Sequence, residues 1–219
     1  TPMTGQLAAD AAEAVAVAKG PPAQIATLIL PADVSWNEGA ESARAHPPAQ
    51  PPPASDTTVQ ALAQVIKKSG KKVALLLGNR ALREAGLRAA SQIAEKTGAK
   101  LFCEVFPTRL ERGEGLPAVE RIAYLAELAS VQLNGYDHLV LVDAKAPVSF
   151  FAYPGKKSYL VPDDCTAHTL VQPHEDALAS LQALVEAVGA SGTAPKLQSA
   201  GRPQLPKGKL NAAKACQAI

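Results

Sequence analysis

Aromatic residues make up only 4% of this 219-residue chain, with one Trp, four Tyr and four Phe. That scarcity argues against an aromatic-filled β-sandwich, and the abundance of alanine favours helices packed on a sheet. No apolar run approaches the roughly 18 residues that a membrane-crossing helix needs. The opening Thr1-Pro2-Met3-Thr4-Gly5 has no basic stretch ahead of an apolar one, so no secretory leader is expected. The three cysteines, Cys103, Cys165 and Cys216, are too few and too far apart for a zinc motif or a disulfide framework. A reducing, cytoplasmic setting is therefore expected. Net charge is also nearly absent, at +2 overall. The basic excess sits in residues 191–219, which carry five basic and no acidic groups. A solvated basic tail is no argument for nucleic acid, and neither nucleic acid nor a membrane is expected as a partner.

What the chain has in quantity is alternation. Thr4 to Lys19 reads as a helix, with Leu7, Ala11, Ala14, Val15 and Ala18 on one stripe. Gly20-Pro21-Pro22 ends it, and Ile25 to Leu30 reads as a short strand buried on both faces. No crossover helix follows. Pro47, Pro48, Pro51, Pro52 and Pro53 instead predict an extended spacer over residues 41–56. Residues 1–40 are thus expected to be the C-terminal remnant of a preceding domain.

Residues 57–190 form a regular unit. Helices are expected at about 57–69, 80–97, 117–133 and from Pro173 onward. Strands are expected at Val73–Leu77, Leu101–Phe106, His138–Val142 and Ser158–Val161, with one more at His168–Val171. Short, wholly apolar strands between amphipathic helices predict an α/β fold, a doubly wound parallel sheet of the Rossmann-like type with flanking partial segments. Residues 191–219 read as a linker containing Gly192, Pro195, Gly201, Pro203 and Pro206.

In such sheets ligands gather at the carboxyl ends of strands. Gly78-Asn79-Arg80 ends one strand and opens a helix, where glycine admits a ligand and backbone N–H groups attract phosphate. Asp143-Ala144-Lys145 ends another, with an aspartate for ribose hydroxyls and a lysine for phosphate. A tight turn at the first and an ion pair or turn cap at the second are the plainer readings. The full Gly-x-Gly-x-x-Gly fingerprint, a Walker loop and a Gly-x-Ser-x-Gly elbow are all missing. His46, His138, His168 and His174 show no ligand spacing. No catalytic residue and no metal ligand is assigned.

Two stretches carry a family resemblance. Pro22-Ala23-Gln24-Ile25-Ala26-Thr27-Leu28-Ile29-Leu30-Pro31-Ala32-Asp33-Val34-Ser35-Trp36 resembles the end of the pyrimidine-binding domain of thiamine-diphosphate-dependent enzymes. Val73 to Arg83 resembles the first strand and helix of their central domain. With Phe106-Pro107-Thr108-Arg109-Leu110-Glu111-Arg112-Gly113, the likeness is closest to the acetolactate-synthase-like branch. The resemblance implies a parent enzyme that uses thiamine diphosphate and Mg to decarboxylate a 2-oxo acid and pass the bound carbanion to an acceptor. It implies that residues 57–190 are the central domain and that residues 191–219 lead toward a diphosphate-binding domain. The family's Gly-Asp-Gly motif for metal and diphosphate occurs nowhere here. The expected partners are therefore the pyrimidine- and diphosphate-binding domains, in a homo-oligomeric parent, with this portion inactive alone. Central domains of this kind hold FAD or ADP in some relatives and nothing in others; an empty or weak site is favoured here. A free-standing nucleotide-binding α/β module is the alternative. Sirtuin-like and electron-transfer-flavoprotein-like domains share the architecture, but the zinc cysteines of the former are missing.

Overall fold

The computed structural model describes every residue except Ala40, Arg202, Pro203 and Ile219. The proposed boundary at residue 40, and Pro203 of the expected linker, lie outside the described residues.

The centre of the fold is an all-parallel, five-stranded sheet. Its strands are β1 (Val73–Leu77), β2 (Lys100–Cys103), β3 (Glu120–Arg121), β4 (His138–Val142) and β5 (Thr166–Val171). Their order across the sheet is β3-β2-β1-β4-β5. β1 is central, pairing through Ala74↔Lys100 on one side and Val73↔His138 on the other. All five of its residues are buried. Strand alternation sorts them between two cores. Val73, Leu75 and Leu77 pack with Leu62, Ile66, Leu87, Ile93, Leu181 and Leu184, whereas Ala74 and Leu76 pack with Phe102, Ile122, Ala129 and Leu133.

Helices α3 (Asp56–Ser69), α4 (Glu84–Thr97) and α6 (Ala177–Ala187) cover the first face. The second is covered by α5 (Ala126–Leu133) and the irregular stretch around Leu160 and Val161. Helices thus lie on both faces, as a doubly wound sheet requires. The local signals are ordinary ones. The Ser55 hydroxyl accepts from the Thr58 N–H at 3.2 Å to start α3, and Gly98, at φ 81°, ends α4.

Four expectations are corrected. Ile25–Leu30 is not a strand: it runs extended outside the sheet, with Ile25 95% exposed, because it finds no ladder partner among the described residues. The helix expected from Pro117 forms only at Ala126–Leu133. Residues ahead of it pair with β2 as β3, and the Gln132 side chain ties Ala123 N–H, the Arg121 carbonyl and Glu120 together. Ser158–Val161 contributes only an antiparallel bridge, Val148↔Tyr159. Residues 191–219 are more than a bare linker. Thr193, Lys196 and Gln198 are hydrogen-bonded to Gln92, Ser91 and Leu116, and Ala212–Ala218 forms a terminal helix.

The N-terminal segment holds α1 (Leu7–Lys19), which buries no residue, and α2 (Ala32–Trp36), which buries Val34 alone. Trp36 stands 84% exposed. The proline-rich stretch is better anchored. Asp176 N–H donates to the Pro52 carbonyl at 2.7 Å, and Ala54 N–H donates to the buried Ser180 hydroxyl at 2.8 Å.

Candidate functional site

The sheet reverses its winding between β1 and β4, so the crevice at their carboxyl ends is where a doubly wound fold places a ligand. Gly78 and Asn79 follow β1, and Asp143 follows β4. The structure brings these residues together, and they satisfy one another. Asp143 is 5% exposed. One of its carboxylate oxygens accepts the Arg80 N–H at 3.0 Å, and the other accepts the Asn79 carboxamide at 3.3 Å. The same Asn79 nitrogen donates to the Asp143 carbonyl at 3.1 Å. Both residues take positive φ, 32° for Asn79 and 51° for Asp143, angles that Asn and Asp tolerate best among non-glycine residues. The turn-cap reading of Asp143 is therefore the observed one. Lys145 lies two residues on, exposed.

Gly78 is needed for space. A Cβ there would lie 2.2 Å from the Asp143 carbonyl oxygen and 3.0 Å from the Glu104 carboxyl carbon. Glu104, which sequence reasoning missed, immediately follows β2 and faces Asp143 across that glycine. Its position directly after a buried apolar strand was the available signal. Burial pushes the Glu104 carboxyl above its usual range, and the neighbouring Asp143 carboxylate adds to the rise. Burial likewise raises Asp143, against the opposing hydrogen bonds from Arg80 and Asn79.

This arrangement does not fit a nucleotide phosphate. The Arg80 N–H is already given to a carboxylate. The turn it opens is a short 3-10 turn, Asn79–Leu82, and α4 proper starts at Glu84, whose N–H is taken by the Glu111 carboxylate at 2.6 Å. An incoming phosphate would meet the carboxyl groups of Glu104 and Asp143, with the Arg80 and Glu84 amides already taken. Nor do the described residues offer a metal centre of three or more His, Cys, Asp or Glu side chains.

Two further juxtapositions were hidden by sequence distance. His138 on β4 and His168 on β5, which show no ligand spacing in the sequence, bring Nδ1 and Nε2 within 3.1 Å. Phe106, Tyr124, Phe150, Phe151 and Tyr153 gather on the face that α5 covers, with ring centroids 4.9–6.0 Å apart. Four of them line a cavity of about 410 Å³ with Leu125 and Lys156, and all five are at least 45% exposed. In a chain so poor in aromatics, five of its eight Phe and Tyr side chains thus stand exposed together.

No family model matches the chain. It is 48% identical, over all 219 residues, to a Mycobacterium tuberculosis protein named "Putative acetolactate synthase large subunit IlvX". The match spans 41% of that protein, so the chain covers about two fifths of the length of this curated relative. Among solved structures, it resembles a thiamin-diphosphate-dependent enzyme from Mycobacterium smegmatis (TM-score 0.64, 22% identity, 92% of this chain and 41% of the other). It also resembles benzoylformate decarboxylase from Polynucleobacter necessarius (TM-score 0.65, 17% identity, 98% and 43%). A third likeness is to the 4-hydroxybenzoylformate decarboxylase of Rhodococcus jostii RHA1 (TM-score 0.58, 16% identity, 97% and 42%). At these identities the structures speak for the fold, and the sequence match carries the kinship. Along its whole length, this chain is similar to two fifths of a protein named as an acetolactate synthase large subunit, and it shares its fold with part of thiamine-diphosphate-dependent enzyme chains.

Proposed function

We propose that residues 57–190 are the central domain of a thiamine-diphosphate-dependent 2-oxo-acid decarboxylase or carboligase resembling acetolactate synthase, and that the 219-residue chain is inactive alone. The observation that carries this reading is the full-length match to two fifths of the relative, in a sequence without a Gly-Asp-Gly motif. On this reading residues 1–40 belong with a pyrimidine-binding domain, residues 41–56 are the spacer, and residues 191–219 lead toward a diphosphate-binding domain. Thiamine diphosphate and Mg would be held by those other domains, and the parent would be a homo-oligomer. The exposed aromatic face offers apolar area for contact with them. Three free cysteines, and no helix among the described residues long and apolar enough to cross a membrane, support a cytoplasmic setting.

The domain's role is structural, with its nucleotide crevice closed by Asp143, Asn79 and Glu104. Calorimetry on the purified chain is the test. Thiamine diphosphate with Mg²⁺, FAD and ADP should each give no saturable heat at micromolar concentrations, and pyruvate should release no carbon dioxide. The switch point between β1 and β4 favours one second reading, a free-standing nucleotide-binding module. FAD or ADP binding that is lost in both Arg80→Ala and Asp143→Ala would overturn the closed crevice and keep that second reading open.

A further inference from the structure

The His138–His168 pair lies at the opposite end of the sheet from the crevice, where β4 and β5 begin. His138 pairs in register with Thr166, and Val140 with His168, so both imidazoles share the face that carries Val140 and Leu170. The ladder sets their spacing. Both side chains are half-buried, which leaves one side of the pair open to water.

We propose that His138 Nδ1 and His168 Nε2 form a two-histidine site for a late first-row divalent cation, with Ni²⁺, Cu²⁺ and Zn²⁺ as its class. Metal–imidazole bonds are about 2.0–2.1 Å long. A cation at that distance from two nitrogens 3.1 Å apart would subtend an N–metal–N angle of about 95–100°. That is a cis pair in octahedral or square-planar coordination, and it is near the tetrahedral angle. Water supplies the remaining positions. Two neutral imidazoles with no carboxylate select for nitrogen-loving cations and against Mg²⁺ and Ca²⁺.

Without a cation, one nitrogen carries the hydrogen that bridges the pair. Binding moves that proton to the same ring's other nitrogen, a tautomer change with no net proton release. The imidazoles, whose planes lie 47° apart, would rotate to turn both lone pairs toward one cation.

The test titrates NiCl₂ into the 219-residue chain at pH 7.5, in a Cys216→Ser background that removes the exposed thiol. One equivalent should bind. His138→Ala and His168→Ala should each weaken it by about tenfold or more. His46→Ala and His174→Ala should leave it unchanged. With CuCl₂, electron paramagnetic resonance should show coupling to two nitrogens in the parent and one in each variant. Far-UV circular dichroism monitors folding, and His138→Gln and His168→Gln replace any alanine variant that unfolds. No saturable binding below about 1 mM would overturn the proposal and leave the pair a plain hydrogen bond. Binding that survives both substitutions would overturn it too.

Discussion

At the scale of single residues, the carboxyl ends of β1, β2 and β4 are governed by one missing Cβ. Gly78 has φ −130°, which any residue adopts, so its value lies in space and not in backbone freedom. Gly78→Ala should cost about 1–3 kcal/mol, toward the upper end because the Asp143 backbone cannot swing aside. A lowered urea midpoint with an unchanged m-value would register that loss. Glu104 gives a second expectation, with a definite sign. Its pKa is raised on folding, so the folded chain holds this proton more tightly than the unfolded chain does. The associated stability is complete below the ordinary carboxylate range and fades as pH rises through the folded value. Glu104→Gln should raise the melting temperature at neutral pH and flatten the fall in stability above the carboxylate range. Melting curves across pH 3–8, a window of about five units around these carboxyl groups, would show it. Gly78, Asn79, Arg80, Asp143 and Lys145 were legible as one region from their positions after apolar strands. That Asp143 spends its carboxylate on Arg80 and Asn79 was not, since it depends on turn geometry between partners 63 and 64 positions apart in the chain.

At the scale of elements, the buried strands β1 and β4 were readable because parallel-sheet strands are continuous apolar runs. Ile25–Leu30 shows where that signal stops. The same apolar pattern lies exposed here, because a strand is stable only with a neighbour to pair with. β3 shows the converse. Glu120–Arg121 has no apolar pattern at all, and pairing with Phe102 and Cys103 makes it a strand. The join between the proline-rich stretch and α6 is similarly invisible to periodicity. It rests on the Ser180 hydroxyl, fully buried, which donates to the Asp176 carbonyl at 2.6 Å and accepts from Ala54 N–H. Ser180→Ala strands that buried amide and should cost about 1–3 kcal/mol. Ser55→Ala, at the exposed cap of α3, should cost about 1 kcal/mol. Denaturant titration of the two variants side by side would rank them.

At the scale of the whole molecule, the two cores divide the labour unequally. One sheet face is sealed by three helices. The other relies on the eight-residue α5 and on loops that leave Phe106, Tyr124, Phe150, Phe151 and Tyr153 in solvent. Sequence reasoning found the sheet because it is made of local patterns. It missed the aromatic cluster because its members come from three separate loops. Beyond the sheet, the described residues of 1–53 bury only Val34 among their apolar side chains. Segments with so little burial open easily. Brief trypsin treatment should cut first at Arg44 and at Lys207 or Lys209, all exposed, while residues 55–190 resist. Mass spectrometry of the early fragments would check the order. Early cleavage at Lys96 or Lys100 instead would mean that the core is looser than its packing implies.

The position of Trp36 has an optical consequence. The chain's single indole sits 84% exposed on a five-residue helix outside the sheet, while the buried core contains no tryptophan. Its emission should be red-shifted in the native state and should respond to quenchers almost as a free indole does. A fluorescence-monitored melt would therefore follow the N-terminal segment and pass over the unfolding of the sheet, which only the far-ultraviolet backbone signal would record.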